Sequence, residues 1–357
     1  MELFGKKIEK KELLEKIGNL NQIGGIQTFE YNDGTSKGIR AANIKSASGI
    51  DITVLFDRCM DISHLFYKSI PINWNSPSKE TFPTYYNSKG TEWLKTFYGG
   101  LLTTCGLSNI GMPNIDNGEE LGLHGRISNS PAENISINEE WIDDDYKMVI
   151  KGIIREAFFK GLKLEIRREI TTYHSTPKIT LEDKISNIGY SKSPLMILYH
   201  INIGYPLLDY TSKLLIGKSK ILPFDEYSER KLENYYKFSS PILGFKDEVF
   251  FHEIEQDKKG DINIAFVNPN FNNKQGLGLW LKFNKDALPY LIQWKHLEKG
   301  EYVCGIEPAN SLIRGRNTEK KDKTLKFIKP SETKTYKLEF KILKSNTEIH
   351  NFTKNYC

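Results

Sequence analysis

The sequence predicts a mainly β protein, one large antiparallel sandwich with only a few short helices. Between residues 162 and 170 apolar side chains alternate with charged ones, which is typical of a strand with one buried and one solvated face. Gly, Asn, Asp and Pro punctuate the chain frequently after Gly25, as expected for strands joined by turns. The chain shows neither an internal repeat of about 20–50 residues, as in propellers and solenoids, nor a Pro- or Ser-rich linker. We therefore expect one large β domain.

The helical elements are predicted to be few. Residues 9–17 are rich in Lys, Glu and Leu and predict a short surface helix that stops at Gly18. Residues 91–98 predict a second helix, in which Trp93, Leu94 and Phe97 share a face before two glycines end it.

The clearest strands are predicted where apolar residues recur at every second position. They lie at residues 162–170, 179–185, 279–283 and 336–342, and the first two form a hairpin-like pair around a turn at 175–177. The predicted organisation is a helical extension (residues 1–20), a β-sandwich domain (21–345) and a C-terminal tail (346–357).

Composition excludes several classes of function. The 357 residues include 50 Lys and Arg against 45 Asp and Glu, and this net charge of +5 is too small and too scattered to predict a nucleic-acid partner. Cys59, Cys105, Cys304 and Cys357 form no C-x-x-C pair, which excludes zinc ribbons and redox motifs. Phosphate-binding loops, G-x-S-x-G and H-E-x-x-H are absent.

The chain also lacks the signals of export and membrane insertion. Its first twenty residues have no continuous apolar stretch with a small-residue cleavage site, and no segment reaches 18 apolar residues. We expect a soluble, cytoplasmic protein with no membrane partner.

Two polar residues in apolar strands are candidates for chemistry. Alternation places Met196, Leu198, His200 and Asn202 on one strand face, so His200 lies mid-strand among apolar residues. A neutral imidazole there must be paired or used, although a satisfied core histidine is the usual alternative. Glu307 is a lone carboxylate before Pro308, which predicts a strand end beside a cleft, with a salt bridge or turn contact as the alternative.

Two further segments are weaker candidates. His124 and Arg126 lie two apart, on the same side if the chain is extended, and the neighbouring Gly122 and Gly125 would let a ligand approach. Trp294 alternates onto one face with Tyr290, Ile292 and His296 and offers a flat surface for stacking on a sugar ring. A core or surface aromatic is the commoner reason for such a residue.

Four segments resemble the aldose 1-epimerase (galactose mutarotase-like) superfamily, in particular its bacterial branch DUF4432. They are GGLLTTCGL (residues 99–107), EELGLHGRISNSPAEN (119–134), YHINIGYPLLD (199–209) and GIEP (305–308). The second is the most specific, and the resemblance spans roughly residues 20–345. It implies the galactose mutarotase-like supersandwich, a single domain of large antiparallel sheets.

The resemblance also implies site residues. The superfamily's strand histidine, the general acid on the ring oxygen, corresponds to His200, and its general base near the end of the domain to Glu307. The histidine that holds sugar hydroxyls corresponds to His124, with Arg126 beside it. The remaining substrate-binding residues implied for the pocket are Arg58, Trp294, Lys295 and Asp209, and Asp209 competes with Asp225 for the place of an aspartate that grips the sugar.

One departure from the better-known mutarotases affects the substrate. Those enzymes carry an Asn-His-Thr-Tyr type segment, whereas here Tyr199 precedes His200 and Ile201 follows it. The hydroxyl contacts should therefore differ, and neither galactose nor glucose is implied as the substrate.

The expected function is interconversion of the α and β anomers of a sugar or sugar derivative, without a metal, nucleotide or redox cofactor. A carbohydrate-binding or sensing protein without turnover is one alternative, and an epimerase or isomerase acting at another sugar carbon is a second. Three cations in the expected pocket, Arg58, Arg126 and Lys295, predict an acidic or phosphorylated sugar, unless they pair with carboxylates in the wall.

Overall fold

The protein is built almost entirely from antiparallel strands. The computed structural model describes residues 2–3 and 5–357. The strands are β1 (Glu2–Leu3), β2 (Lys6–Lys7), β3 (Gly25–Glu30), β4 (Arg40–Lys45), β5 (Ile50–Leu55), β6 (Asp61–Tyr67), β7 (Ile70–Pro71), β8 (Thr103–Leu107), β9 (Asn114–Asp116), β10 (Glu119–Leu121), β11 (Ala132–Ile142), β12 (Asp145–Ala157), β13 (Lys163–Tyr173), β14 (Lys178–Asn187), β15 (Ser193–Pro194), β16 (Met196–Ile203), β17 (Lys213–Ile216), β18 (Ser219–Pro223), β19 (Glu248–Ile254), β20 (Asp261–Asn268), β21 (Leu277–Asn284), β22 (Tyr290–Glu298), β23 (Glu301–Ala309), β24 (Phe327–Ile328) and β25 (Thr333–Leu343).

The helices are short. The α-helices are α1 (Lys10–Leu14), α2 (Glu226–Glu229), α3 (Phe271–Lys274), α4 (Arg316–Lys321) and α5 (Asn346–Tyr356). The 3₁₀ helices cover Leu20–Gln22, Gly34–Ser36, Pro83–Tyr85, Glu92–Thr96, Ile127–Asn129 and Leu232–Asn234. The predicted all-β class with few helices is confirmed. Within the described part of the chain, no helix combines the length and the apolar character needed to cross a bilayer.

Three sheets carry the architecture. The largest has eight strands in the order β11-β12-β13-β14-β25-β21-β20-β17, the second six in the order β18-β19-β22-β23-β16-β8, and the third five in the order β3-β4-β5-β6-β7. The predicted hairpin is confirmed, because β13 and β14 pair with Ile166 opposite Ile185.

The main core lies between the sheets and follows from strand alternation. Ile166 and Leu181 of the eight-stranded sheet, Ile201 and Ile306 of the six-stranded sheet, and Ile52 of the five-stranded sheet all belong to one buried cluster. Because only alternate residues of each strand enter this core, the opposite face of the six-stranded sheet remains available for a site.

Two predicted helices differ from the structure in length or type. The segment at 91–98 forms only a 3₁₀ helix over Glu92–Thr96, and Leu94 is exposed while Trp93 and Phe97 are buried. A 3₁₀ turn repeats every three residues, so Leu94 no longer shares the buried face. The N-terminal helix covers only Lys10–Leu14.

The C-terminal tail is an ordered helix. The Ser345 hydroxyl accepts from the backbone N–H of Glu348, which caps α5 at its N-terminus. Ile349 and Phe352 of α5 pack against Ala265 and Val267 at the edge of the eight-stranded sheet. The helix thus covers apolar surface that the last strands would otherwise expose.

Candidate active site

The candidate site lies on the open face of the six-stranded sheet, where β16 and β23 run side by side. The register pairs Leu198 with Ala309 and Ile201 with Ile306, which places His200 opposite Glu307. Nε2 of His200 lies 3.3 Å from Oε1 of Glu307, and both side chains are almost completely buried. Two residues 107 positions apart in the sequence therefore form one adjacent pair because their strands are neighbours.

Burial favours the uncharged forms of both groups. It raises the pKa of Glu307 to about 8. Burial also lowers the pKa of His200 well below its ordinary value, and the nearby His124 lowers it further. Near neutral pH the unliganded pair therefore holds one proton, on the Glu307 carboxyl, beside a neutral imidazole.

The pair contains unsatisfied polar atoms. Glu307 Oε1 and His200 Nδ1 are buried, and no described residue offers either of them a well-aligned hydrogen bond, since the close Nε2–Oε1 approach is poorly directed. A buried polar atom without a partner costs about 1–3 kcal/mol. Such atoms in one place are typical of a site completed by a polar ligand.

Aromatic rings surround His200 on three sides. Its ring centroid lies 5.1 Å from that of Phe97, 5.5 Å from that of Trp294 and 5.6 Å from that of His124. The last two contacts are edge-to-face. These rings keep the pair in apolar surroundings and offer flat surfaces on which a ligand could stack.

Gly305 makes room for the Glu307 carboxyl at the centre of this group. A Cβ built there would overlap Oε1 of Glu307 and lie 3.2 Å from both His200 Cε1 and Trp294 Cε3. Gly305 is paired with Trp294 in the sheet. Because Gly305 has no side chain, the indole of Trp294 can lie next to the His200–Glu307 pair.

His124 approaches the pair from a loop. Its backbone is left-handed, with φ of 56°, a conformation that costs a non-glycine residue about 1–3 kcal/mol and is often found at functional sites. The backbone N–H of Gly111 donates to Nδ1 at 3.4 Å, so the ring proton is on Nε2. Burial lowers the pKa of His124 to about 4, and the ring is therefore a neutral hydrogen-bond donor near neutral pH.

A polar group continues the site along β22. His296 stacks on Trp294 at 5.6 Å between centroids, and its Nδ1 lies 2.6 Å from Oδ1 of Asp247. The other Asp247 oxygen accepts from Trp294 Nε1 at 3.0 Å. Asp247 thereby fixes the orientation of both rings.

Arg58 lies beneath the wall of the pocket, not in it. The side chain is fully buried, and it donates to three backbone carbonyls, those of Thr81, Thr96 and Ser128. Thr96 precedes Phe97, and Ser128 accepts from the indole of Trp93. Arg58 therefore holds together the loops that carry the aromatic wall, and its guanidinium is already occupied.

Lys295 faces the opposite side of the sheet from Trp294. Successive residues of a strand point to opposite faces. Lys295 is buried and paired with Glu248, with Nζ 2.6 Å from Oε2. The expectation of a pocket lysine is therefore not met by this side chain.

Asp209 lies in the turn after β16. Its Oδ1 accepts from the backbone N–H of Tyr210. Burial raises the pKa of Tyr302, and the charge of Asp209 raises it further. Tyr302 belongs to the face of β23 opposite to Glu307, where it is partly buried against the main core. Asp225 caps α2 by accepting from the N–H of Ser228. The structure brings neither aspartate to the pair.

Arg126 is partly buried. Its guanidinium lies 4.7 Å from the centre of the Phe158 ring, and its charge acts on Tyr86 and on Glu156. Among the described residues it has no ion pair. Of the three cations expected in the pocket, Arg126 alone is available to bind a ligand, because Arg58 and Lys295 are bound to partners inside the protein.

Comparison with known sequences assigns the family. The profile of the family described as a domain of unknown function, DUF4432, matches residues 36–342. The chain belongs to the DUF4432 family. No curated protein matches it.

Solved structures share the fold of this DUF4432 protein. A candidate aldose 1-epimerase from Klebsiella pneumoniae superposes with a TM-score of 0.88 at 24% identity, over 98% of this chain and 90% of that one. A galactose mutarotase-like protein from Clostridium acetobutylicum gives 0.64 at 14% identity, over 91% and 100%. Galactose 1-epimerase from Lactobacillus acidophilus gives 0.54 at 11% identity, over 90% and 100%. At these identities the likeness shows the galactose mutarotase-like fold.

The DUF4432 site contains residues that the sequence did not identify as site residues. Phe97, Trp93, Gly305, Asp247 and Asn202 all contact or support the pair or its walls. Gly305 and Glu307 lie two apart on one strand and therefore share a face, which could have indicated that Gly305 belongs to the site. The approach of Phe97 depends on tertiary structure. The described residues contain no cluster of three or more side chains suited to hold a metal ion.

Proposed function

We propose that this DUF4432 protein interconverts the α and β anomers of a sugar or sugar derivative by acid–base ring opening at His200 and Glu307. The observation that carries the proposal is the 3.3 Å separation of Nε2 and Oε1 in a buried, aromatic-walled site. The anomeric hydroxyl oxygen and the ring oxygen are bonded to the same carbon, so the groups that serve them must lie close together.

The reaction needs one proton on the pair. Glu307 as carboxylate takes the proton from the anomeric hydroxyl, and His200 as imidazolium gives a proton to the ring oxygen. The bond between the anomeric carbon and the ring oxygen breaks as the carbonyl forms. Rotation about the next carbon–carbon bond and reversal of both transfers close the other anomer.

The resting pair reaches this state by moving its proton. Burial places the proton on Glu307, and its transfer to Nε2 of His200 yields the carboxylate and imidazolium without exchange with solvent. Each group is expected to contribute roughly 10²- to 10⁴-fold to the rate. His124, as a neutral Nε2–H donor, would hold a sugar hydroxyl, and Trp294 would stack on the ring.

Arg126 supports an acidic or phosphorylated sugar as the preferred substrate. An unpaired guanidinium two residues from His124 can form paired hydrogen bonds with a carboxylate or phosphate. Of the three cations only Arg126 supports this preference, since Arg58 and Lys295 have partners inside the protein.

The test is anomer exchange measured by magnetisation-transfer NMR across neutral sugars, sugar acids and sugar phosphates. Glu307→Gln and His200→Gln should each abolish most of the exchange on the true substrate. Binding without exchange in the wild type would indicate a binding protein. Exchange that survives Glu307→Gln unchanged would exclude Glu307 as the base.

A further inference from the structure

Two unsatisfied buried atoms lie on neighbouring positions of the same strand face. His200 Nδ1 and Asn202 Oδ1 are both buried, and the described residues provide neither with a well-aligned partner. Residues two apart on a strand project from the same face, so the two side chains are adjacent. Unmatched polar atoms that lie side by side in a core need an explanation.

The orientation of the Asn202 amide is fixed by its own donors. Nδ2 donates to the carbonyl of Gly100 at 3.1 Å and to the carbonyl of His200 at 3.0 Å. An amide nitrogen has two hydrogens, and both are used. A flipped amide would turn Oδ1 towards two carbonyl oxygens, so the amide oxygen is the group left to act on the imidazole.

The two nitrogens of His200 therefore have different environments. Nε2 faces the Glu307 carboxyl, which carries the proton of the resting pair and can only donate it to an unprotonated nitrogen. A neutral imidazole with unprotonated Nε2 carries its hydrogen on Nδ1. Burial lowers the pKa of His200, and the Asn202 side chain opposes this effect, so the amide lies near the ring.

We propose that Asn202 is the positioning residue of His200: its amide oxygen accepts the Nδ1 proton and so keeps Nε2 free to receive the proton of Glu307. The inference rests on the proposed function for its use in catalysis, but the hydrogen bond to Nδ1 is proposed for the unliganded protein and can be tested there. The neutral amide also leaves the number of protons on the pair unchanged, whereas an aspartate here would hold His200 as imidazolium.

The test is ¹⁵N NMR of the unliganded full chain labelled at histidine. The His200 signals are assigned by their loss in His200→Gln, and their shifts and couplings identify the protonated nitrogen. We expect Nδ1–H in the wild type and a change towards Nε2–H in Asn202→Leu. In Asn202→Asp the imidazolium should persist to a pH higher by at least about one unit.

Asn310→Leu is the matched control. Asn310 is also a buried asparagine, and its amide holds the backbone of the same strand at Leu195 and Ile197. Its loss should lower stability as much as the loss of Asn202 while leaving the His200 tautomer unchanged. If Asn202→Leu does not fold, the inference is tested by the tautomer of His200 in the wild type and by the pH at which the imidazolium of Asn202→Asp loses its proton.

Two outcomes would overturn the inference: a wild-type His200 protonated on Nε2, or an unchanged tautomer in folded Asn202→Leu. Both measurements are made without substrate. A failure of the proposed function would instead appear as missing anomer exchange with the Nδ1–H tautomer intact, so the two failures are distinguishable.

Discussion

His200 and Glu307 face each other across two antiparallel strands, with 3.3 Å between Nε2 and Oε1 and almost no exposure to solvent. Such a pair is costly, because each group is held in the environment least suited to its charge. The rings of Phe97, Trp294 and His124 maintain that environment. The buried pair consists of two groups that share one proton. Such an arrangement suits acid–base chemistry better than structural support.

Glu307→Gln should remove activity and increase stability. Burial raises the pKa of Glu307 to about 8 from an ordinary value near 4.5, so the unfolded chain loses this proton at lower pH than the folded protein. Below the pKa of this group in the unfolded chain, the protein has its full stability. As the pH rises from there towards 8, the free energy of unfolding falls by about 1.4 kcal/mol per pH unit. Denaturant unfolding at pH 8 should show the variant to be more stable by roughly 3–5 kcal/mol.

The control for this prediction is Glu319→Gln. Glu319 is equally buried, but it accepts from Arg314 at 2.8 Å and from Thr324. Removing its charge breaks an ion pair and should lower stability. Equal losses of stability in both variants would indicate that Glu307 has a structural role.

The rate of anomer exchange should fall above about pH 8. The active pair holds one proton, and the raised pKa of Glu307 sets the pH at which that proton is lost. The acidic limb should lie well below pH 6.5, because burial lowers the pKa of His200. A pH profile of kcat/KM reports the apparent pKa values of both limbs, which belong to the pair and not to either residue alone. A profile that is flat between pH 7 and 9.5 would contradict the shared-proton model.

Strand alternation explains how much of this site could be predicted. It correctly placed Met196 and Leu198 on one face of β16, and Ile197 and Ile201 on the other. The same rule puts Lys295 on the face opposite to Trp294, although the family resemblance grouped these two neighbours in one pocket.

Long-range contacts explain what could not be predicted. The three carbonyls that Arg58 binds come from separate loops, at Thr81, Thr96 and Ser128, and no local pattern reports them. The edge-to-face contact of His124 with His200 likewise depends on a left-handed loop meeting a strand. Sequence pattern identified the strands and their faces, whereas the loops that close the pocket are fixed by tertiary structure.

Gly305→Ala should impair the site without unfolding the sheet. The added methyl group would overlap Glu307 Oε1 and crowd His200 and Trp294, while an extended backbone accepts alanine. We expect exchange to fall at least about tenfold, as expected for a displaced acid–base pair, while the sheet stays folded with a loss of stability of about 1–3 kcal/mol from the crowded methyl group. Gly18→Ala is the control, since its Cβ would meet no neighbour within 4 Å. Wild-type exchange in Gly305→Ala would mean that the carboxylate tolerates the displacement.

Arg58→Met and Arg126→Met should separate a structural cation from a ligand-binding one. Removing Arg58 leaves three buried carbonyls without donors, so stability should fall by at least about 3 kcal/mol. Arg126 has no ion pair among the described residues, and its replacement should change stability by less than about 0.5 kcal/mol. Calorimetry with sugar acids or phosphates and with their neutral counterparts should show that Arg126→Met weakens only the anionic ligands. Equal weakening of both classes would place Arg126 in the wall, and tighter wild-type binding of neutral sugars would refute the preference for an anion.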